Sequence, residues 1–305
     1  MLAEDTSECC TPELFFKLEN RQVSGSFKFR GAIHYMSKRS DIELRHGVAT
    51  YSTGNHALAL AHAAGVVSLE RGFPIKTTVF IPTSADDWKA QKVKETGATV
   101  CRSGTKLLEA YEQTLGFCHA TNSHFVSPAD HPDIILGQGT ITLEFQQQLL
   151  RTGQRDMDAI IMPCGGGSLL AGAAIFAKDQ GLKVLGSEPI SGGPRLSIGR
   201  KQGQRVLDPG IHTIADDLRS AVSSSNWDIL SRKEYVHEVY GVTEDQIQTA
   251  MSLFHQSCDE KIEPSSAVPL AVLLFNSKFR EDQISARSSR RIGVILSGGN
   301  IKTEK

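Results

Sequence analysis

The feature that most limits how this chain can fold is an alternation. A short apolar run rich in Val and Ile is followed by a stretch with helical spacing, and the pattern then repeats. The apolar runs are Val48–Ser52, Thr77–Ile81, Phe125–Ser127, Ala159–Met162, Val184–Ser187 and Ile292–Leu296. The helical stretches are Ala57–Ala64, Ala85–Thr96, Gly139–Arg151, Leu169–Lys178 and Glu244–Gln256. Such runs read as strands buried on both faces, and strands joined through helices run parallel. The expected class is α/β, with open parallel sheets flanked by helices. Thr243 and Gln246 predict a capping box for the helix at Glu244, and Gly153 predicts a helix stop after Arg151.

A chain of 305 residues is long for one core. The segment from Gly47 to Ser127 carries its own strand–helix alternation. Two domains are therefore expected, a small one at 47–127 and a large one built from 1–46 and 128–305.

Charge and composition remove several classes of function. The formal net charge is −1, with 40% hydrophobic and 22% charged residues, which favours neither nucleic acid nor an anionic membrane as partner. The basic run from Arg287 to Arg291 is interrupted by serines and reads as a solvated loop. No stretch approaches the roughly 20 apolar residues that span a bilayer. Met1 to Asp5 is acidic and lacks an apolar core, so no signal peptide is expected. The six cysteines are scattered without a C-x-x-C pair, which fits a reducing cytoplasm.

Four short motifs carry candidate chemistry. In Ser24-Gly25-Ser26-Phe27-Lys28-Phe29-Arg30-Gly31 a lysine sits between two phenylalanines, within a turn bounded by Ser and Gly. Such a lysine is either a solvated charge or, desolvated by the rings, an amine of lowered pKa able to form a Schiff base. Tyr51-Ser52-Thr53-Gly54-Asn55-His56 joins a strand to a helix. It is either a plain N-terminal turn or an anion site suited to a carboxylate. Pro163-Cys164-Gly165-Gly166-Gly167-Ser168 makes the same kind of junction. Its glycines allow a tight turn or close backbone approach to a phosphate, and it matches neither the dinucleotide nor the P-loop pattern. Leu296-Ser297-Gly298-Gly299-Asn300 ends the last apolar run, as a terminal turn or as a hydroxyl placed at a strand end. A lysine, a phosphate site and a carboxylate site together describe pyridoxal 5′-phosphate (PLP) with an amino acid.

With Glu13-Leu14-Phe15-Phe16-Lys17, Gly137-Gln138-Gly139-Thr140, Thr213-Ile214-Ala215-Asp216 and Glu263-Pro264, these motifs resemble the serine racemase/threonine–serine dehydratase family, the fold-type-II (tryptophan-synthase-β-like) PLP enzymes. The resemblance runs over nearly the whole chain. It implies two open parallel-sheet domains with PLP in the cleft between them. It also implies roles. Lys28 would form the Schiff base and act as base on one face of Cα. Phe27 would pack on the cofactor, and Asn55 would contact its ring 3′-oxygen. Gly165, Gly166, Gly167 and Ser168 would cradle the phosphate. Ser297 would face the pyridine nitrogen. Ser52, Thr53, Asn55 and His56 would hold the substrate carboxylate, and Ser220 would help position the substrate. Thr53 stands where racemases place the second acid/base. The activity implied is an ammonia-lyase (dehydratase) acting on a small β-hydroxy amino acid such as serine, threonine or 3-hydroxyaspartate. The alternatives are an amino-acid racemase and a catalytically silent PLP-binding protein. A homodimer in the cytoplasm is the expected form.

The chain departs from the family pattern at three positions. The phosphate loop ends in Ser168 instead of glycine, which requires negative φ there. Glu188 matches a metal-site glutamate, but Pro194 stands where an aspartate is usual, so no metal is expected. Asp217 replaces the glycine after Thr213-Ile214-Ala215-Asp216.

Overall fold

The computed structural model describes residues 12–191, 195–207, 212–286 and 291–302. Pro194, with Cys9, Cys10 and Arg287 to Arg290, lies outside the described residues. The strands are β1 (Glu13–Leu18), β2 (Val48–Tyr51), β3 (Thr77–Ile81), β4 (Thr99–Arg102), β5 (His124–Phe125), β6 (Ala159–Pro163), β7 (Lys183–Pro189), β8 (Glu238–Val242) and β9 (Arg291–Leu296). The helices are α1 (Lys28–Ser37), α2 (Asp41–Arg45), α3 (Asn55–Arg71), α4 (Asp87–Glu95), α5 (Leu107–Thr121), α6 (Pro132–Arg151), α7 (Ser168–Ala177), α8 (Arg195–Gln202), α9 (Ser224–Leu230), α10 (Glu244–Ser257), α11 (Pro264–Phe275) and α12 (Ser277–Ala286).

Two sheets result, ordered β1-β9-β6-β7-β8 and β4-β3-β2-β5. Every strand pairing in them is parallel. The larger sheet is covered on both faces. Ile160 and Met162 face one apolar layer with α6 and α7, while Ile161 and Val294 face another with α10 and α11. Strand residues alternate sides with period two, so neighbours in β6 enter different layers. Parallel pairing also puts the strand ends of a sheet on one side. The motifs after β2, β6 and β9 therefore all lie at C-terminal strand ends, where open α/β sheets bind ligands.

The segment around Lys28 is a helix start rather than the expected turn, since Lys28 is the first residue of α1. Ala32, Tyr35 and Met36 of α1 share a core with Val48 and Leu60 beside the smaller sheet. Two residues after Lys28, the buried Arg30 anchors the helix. Its Nε and Nη2 donate to Glu19 at 2.7 Å each, and Nη1 donates to Glu144 of α6 at 2.9 Å. Lys17 of β1 completes the network by donating to Glu144. The predicted capping box at Thr243–Gln246 is present, with reciprocal bonds of 3.0 and 3.3 Å. Gly153 takes φ +75 just past the end of α6. Among the described residues no helix is long and apolar enough to cross a membrane.

Candidate active site

A cleft between the two sheets is lined by Phe27, Lys28, Asn55, Gly165, Gly166, Gly167, Ser168, Asp217, Glu263, Ser265 and Ser297, among others. Ser52, Thr53, His56 and Ser220 are not among its lining residues. Ser52 is buried, and its Oγ accepts from Gly54 N–H at 3.1 Å. Thr53 is half-buried in the same loop, and Ser220 is exposed.

Lys28 Nζ donates to the carbonyl of Pro128 at 2.7 Å and lies 5.1 Å from the centre of the Phe27 ring. Burial brings its pKa down from 10.5 to about 8, against the opposing pull of the Asp217 charge. Desolvation disfavours the ammonium, and one nearby carboxylate restores it only in part.

Two helices point buried N-termini at this region, and neither has a side-chain cap. Gly54 precedes α3, whose first residues Asn55 and His56 are buried. Gly167 precedes α7, whose first residues Ser168 and Leu169 are buried. First-turn N–H groups have no partner within the helix, so a buried uncapped end calls for an anion or a polar ligand. The loop before α7 is shaped for close approach. A Cβ added at Gly165 would lie 2.9 Å from both Asp217 O and Leu218 Cα, and Gly167 has φ +94. Asn226 braces it from behind, donating to Gly166 O at 2.8 Å and Ala129 O at 3.2 Å. The only described non-glycine residues with positive φ are Asn122 and Asp179, so Ser168 meets the condition set by its sequence. Ser265 adds a buried hydroxyl that has no partner and lines the cleft. A phosphate cradle at α7, an available amine and an unpartnered hydroxyl fit PLP.

Ser297 follows the last residue of β9, and its Oγ lies 3.1 Å from Ser266 Oγ. Asn55 is committed on both sides. Its Nδ2 donates to Asp217 at 2.7 Å and to both Glu263 oxygens at 3.0 Å, while its Oδ1 accepts from Asn300 at 2.8 Å. Any ring oxygen held by this amide would have to compete with two carboxyls for it. His56 places Nε2 3.2 Å from Val126 O, so that nitrogen carries the hydrogen, and Nδ1 has no partner. Burial first, then the Lys28 charge, lowers its pKa to about 3, so the ring is neutral. The lone pair on Nδ1 offers nothing to a carboxylate. What His56 presents to the end of α3 is its backbone N–H.

Two residues here escaped the list of site residues drawn from sequence. Asn55 Nδ2 donates to the carboxyls of both Asp217 and Glu263, which brings the two acids together, and burial raises the pKa of both. The signals were present, as an aspartate replacing glycine and as Glu263-Pro264, but nothing local in the sequence joins them. Glu188 is spent on structure, accepting from Leu196 and Ser197 N–H at 3.0 and 2.9 Å at the start of α8. No group of three or more metal-ligating side chains occurs among the described residues.

Parallel sheets, a lysine of lowered pKa and a glycine cradle at a helix end define a cofactor-dependent α/β enzyme. The chain matches the family described as "Pyridoxal-phosphate dependent enzyme" over residues 2–298, and it belongs to that family, so its cofactor is PLP. It is 35% identical over 298 residues to a serine racemase of Dictyostelium discoideum, covering 97% of this chain and 86% of that protein. It is 33% identical over 304 residues to a β-hydroxyaspartate dehydratase of Paracoccus denitrificans, covering 98% and 89%. The solved structure of maize serine racemase matches with a TM-score of 0.87 at 31% identity, covering 95% of this chain and 84% of that one. The expected fold-type-II architecture is thereby established.

Proposed function

We propose that the enzyme is an ammonia-lyase (dehydratase) acting on a small β-hydroxy amino acid and yielding a 2-oxo acid and ammonia. One observation carries this reading. Lys28, whose amine is readily deprotonated, stands in a cleft with an uncapped buried helix end on either side. When bound, PLP supplies the electron sink that makes a Cα–H acidic.

Lys28 would hold the cofactor and move the proton at Cα. The Gly165–Ser168 loop would hold its phosphate at the start of α7. Phe27 would pack on the ring, Asn55 would contact its 3′-oxygen, and Ser297 Oγ would face the pyridine nitrogen. A serine partner would leave that nitrogen largely unprotonated, which would favour prompt loss of a β-hydroxyl. The substrate carboxylate takes the free N–H groups at the start of α3, with Ser52, Thr53, Asn55 and the His56 backbone around it. Ser220 closes the far side. The net reaction removes water across Cα–Cβ and hydrolyses the resulting enamine, with no net oxidation.

Racemisation is the second reading. The 35% identity to a serine racemase favours it, as does the hydroxyl of Thr53 as donor on the second face. We further propose the division into 1–46 with 128–305 and 47–127. In its support, β2 to β5 fall within the smaller range and the other strands outside it. A homodimer in the cytoplasm completes the reading. The deciding experiment incubates the holoenzyme with L- and D-amino acids and reads both 2-oxo acid and product chirality. Release of pyruvate from serine supports the lyase, and inversion without ammonia supports the racemase.

A further inference from the structure

The cleft's charges are uneven. Among the described residues Lys28 is the only cation that lines it, while Asp217 and Glu263 line it as carboxyls. Lys89 of α4, which feels the charges of both carboxyls, is held in an ion pair by Asp216. Asn55 donates to Asp217 and to Glu263, so the two carboxyls stand together, and the Asp217 charge acts on Lys28. Burial and the Asp216 charge raise both acids, Glu263 well above its usual range and Asp217 to about 6, so near neutral pH the pair keeps its negative charge on Asp217.

We propose that the Asp217–Glu263 pair sets the substrate class, selecting amino acids with an uncharged side chain, such as serine and threonine, against those with a second carboxylate, such as 3-hydroxyaspartate and aspartate. This rests on the reading of the cleft given under Proposed function. The cofactor phosphate and the substrate α-carboxylate take the two uncapped helix ends, and Lys28 is consumed by the cofactor. Among the described residues no further cation lines the cleft, so a third anionic group meets only the negative charge of the pair. A buried carboxylate without a partner is strongly disfavoured, and a like charge beside it adds to the penalty. A glycine at position 217 would carry no such charge. The selectivity therefore belongs to this chain's own residue and not to the fold.

The test is spectroscopic titration of the holoenzyme with L-alanine and L-aspartate, neither of which has a β-leaving group, following the visible band of the cofactor. The wild type should bind alanine more tightly by about 10²-fold, the scale expected when like charges are brought together out of water. Asp217→Asn should shrink that ratio by about tenfold or more, and Asp217→Glu should restore it. A merely structural role for Asp217 would weaken both ligands alike and leave the ratio in place. Rates with serine and with 3-hydroxyaspartate should shift in the same sense. Equal binding of the two ligands by the wild type, no response to either, or an unchanged ratio in Asp217→Asn each overturns the proposal. Should Asp217→Asn fail to fold, the wild-type ratio decides alone. If no hydroxy amino acid releases a 2-oxo acid, the lyase reading fails, while the binding ratio still judges this proposal.

Discussion

The backbone N–H of Phe27 donates to the carbonyl of Ser297 at 2.9 Å, tying the segment that carries Lys28 to the end of β9. Gly299 N–H donates to Gly25 O at 3.0 Å in the same junction. Asn300 extends it, with Nδ2 reaching Ser24 O at 2.9 Å and Asn55 Oδ1 at 2.8 Å. Three of the four sequence motifs thus form one hydrogen-bonded unit. The lysine is held by the other motifs as well as by its own helix.

The lowered pKa of Lys28 has a kinetic consequence. Only the neutral amine attacks the aldehyde of PLP, so capture of PLP by the apoprotein should accelerate as pH rises toward about 8 and level off above it. Stopped-flow absorbance across that range measures this, and a rate indifferent to pH would contradict it. Borohydride reduction followed by peptide mapping should place the adduct on Lys28. An adduct on any other lysine would refute the assignment.

Arg30 is the charge on which α1 depends. Arg30→Ala would leave Glu19 buried without its cation, and breaking a buried pair in this way costs about 3–5 kcal/mol. Urea unfolding should show that loss. Arg30→Ala combined with Glu19→Ala should recover part of it, because the stranded carboxylate is gone.

Thr53 separates the two reactions. Racemisation needs proton donors on both faces of Cα, and Lys28 serves one. Thr53→Ala should abolish inversion by ~10²–10⁴-fold while sparing elimination from the enantiomer facing Lys28. Thr53→Ser should keep or raise any inversion. Equal loss of both reactions in Thr53→Ala would mark Thr53 as a positioning residue, and unchanged inversion would put the second donor elsewhere.

Glu188 already accepts two backbone N–H groups, and a hard cation needs several oxygen ligands. Chelation should therefore change activity by less than about twofold, since no such ligand set is assembled around Glu188 among the described residues. A large loss reversed by Mg²⁺ would show that a site exists. Glu188→Ala should instead lower stability, by about 1 kcal/mol for a lost helix-start acceptor.

What the sequence made legible follows burial. The interior strands β2, β3, β6, β7 and β9 read as continuous apolar runs because both faces are covered. The strands that periodicity missed, β1, β4 and β8, are all sheet edges, and β5, expected to start one residue later than it does, is an edge too. Edge strands such as Thr99–Arg102 stay partly exposed, so their residues carry no unbroken apolar signal. In the cleft, Lys28, Asn55, the glycine loop and Ser297 were legible because each sits in a local motif. The approach of Asp217 to Glu263 was not, because only the folded chain brings the loop at Asp217 to the residue before α11. The spent side chain of His56 escaped for the same reason, since Val126 reaches it through the β2–β5 pairing.

The place of β9 between β1 and β6 has a consequence for biosynthesis. Strands β2 to β5 lie within residues 48–125, so the smaller sheet can assemble while translation continues. The larger sheet cannot close until residues 291–296 leave the ribosome, and Phe27 has no anchor until Ser297 follows. A nascent chain that stalls late would thus carry the lysine and the phosphate loop without the junction that aligns them. Competence to take up the cofactor therefore waits on the emergence of β9.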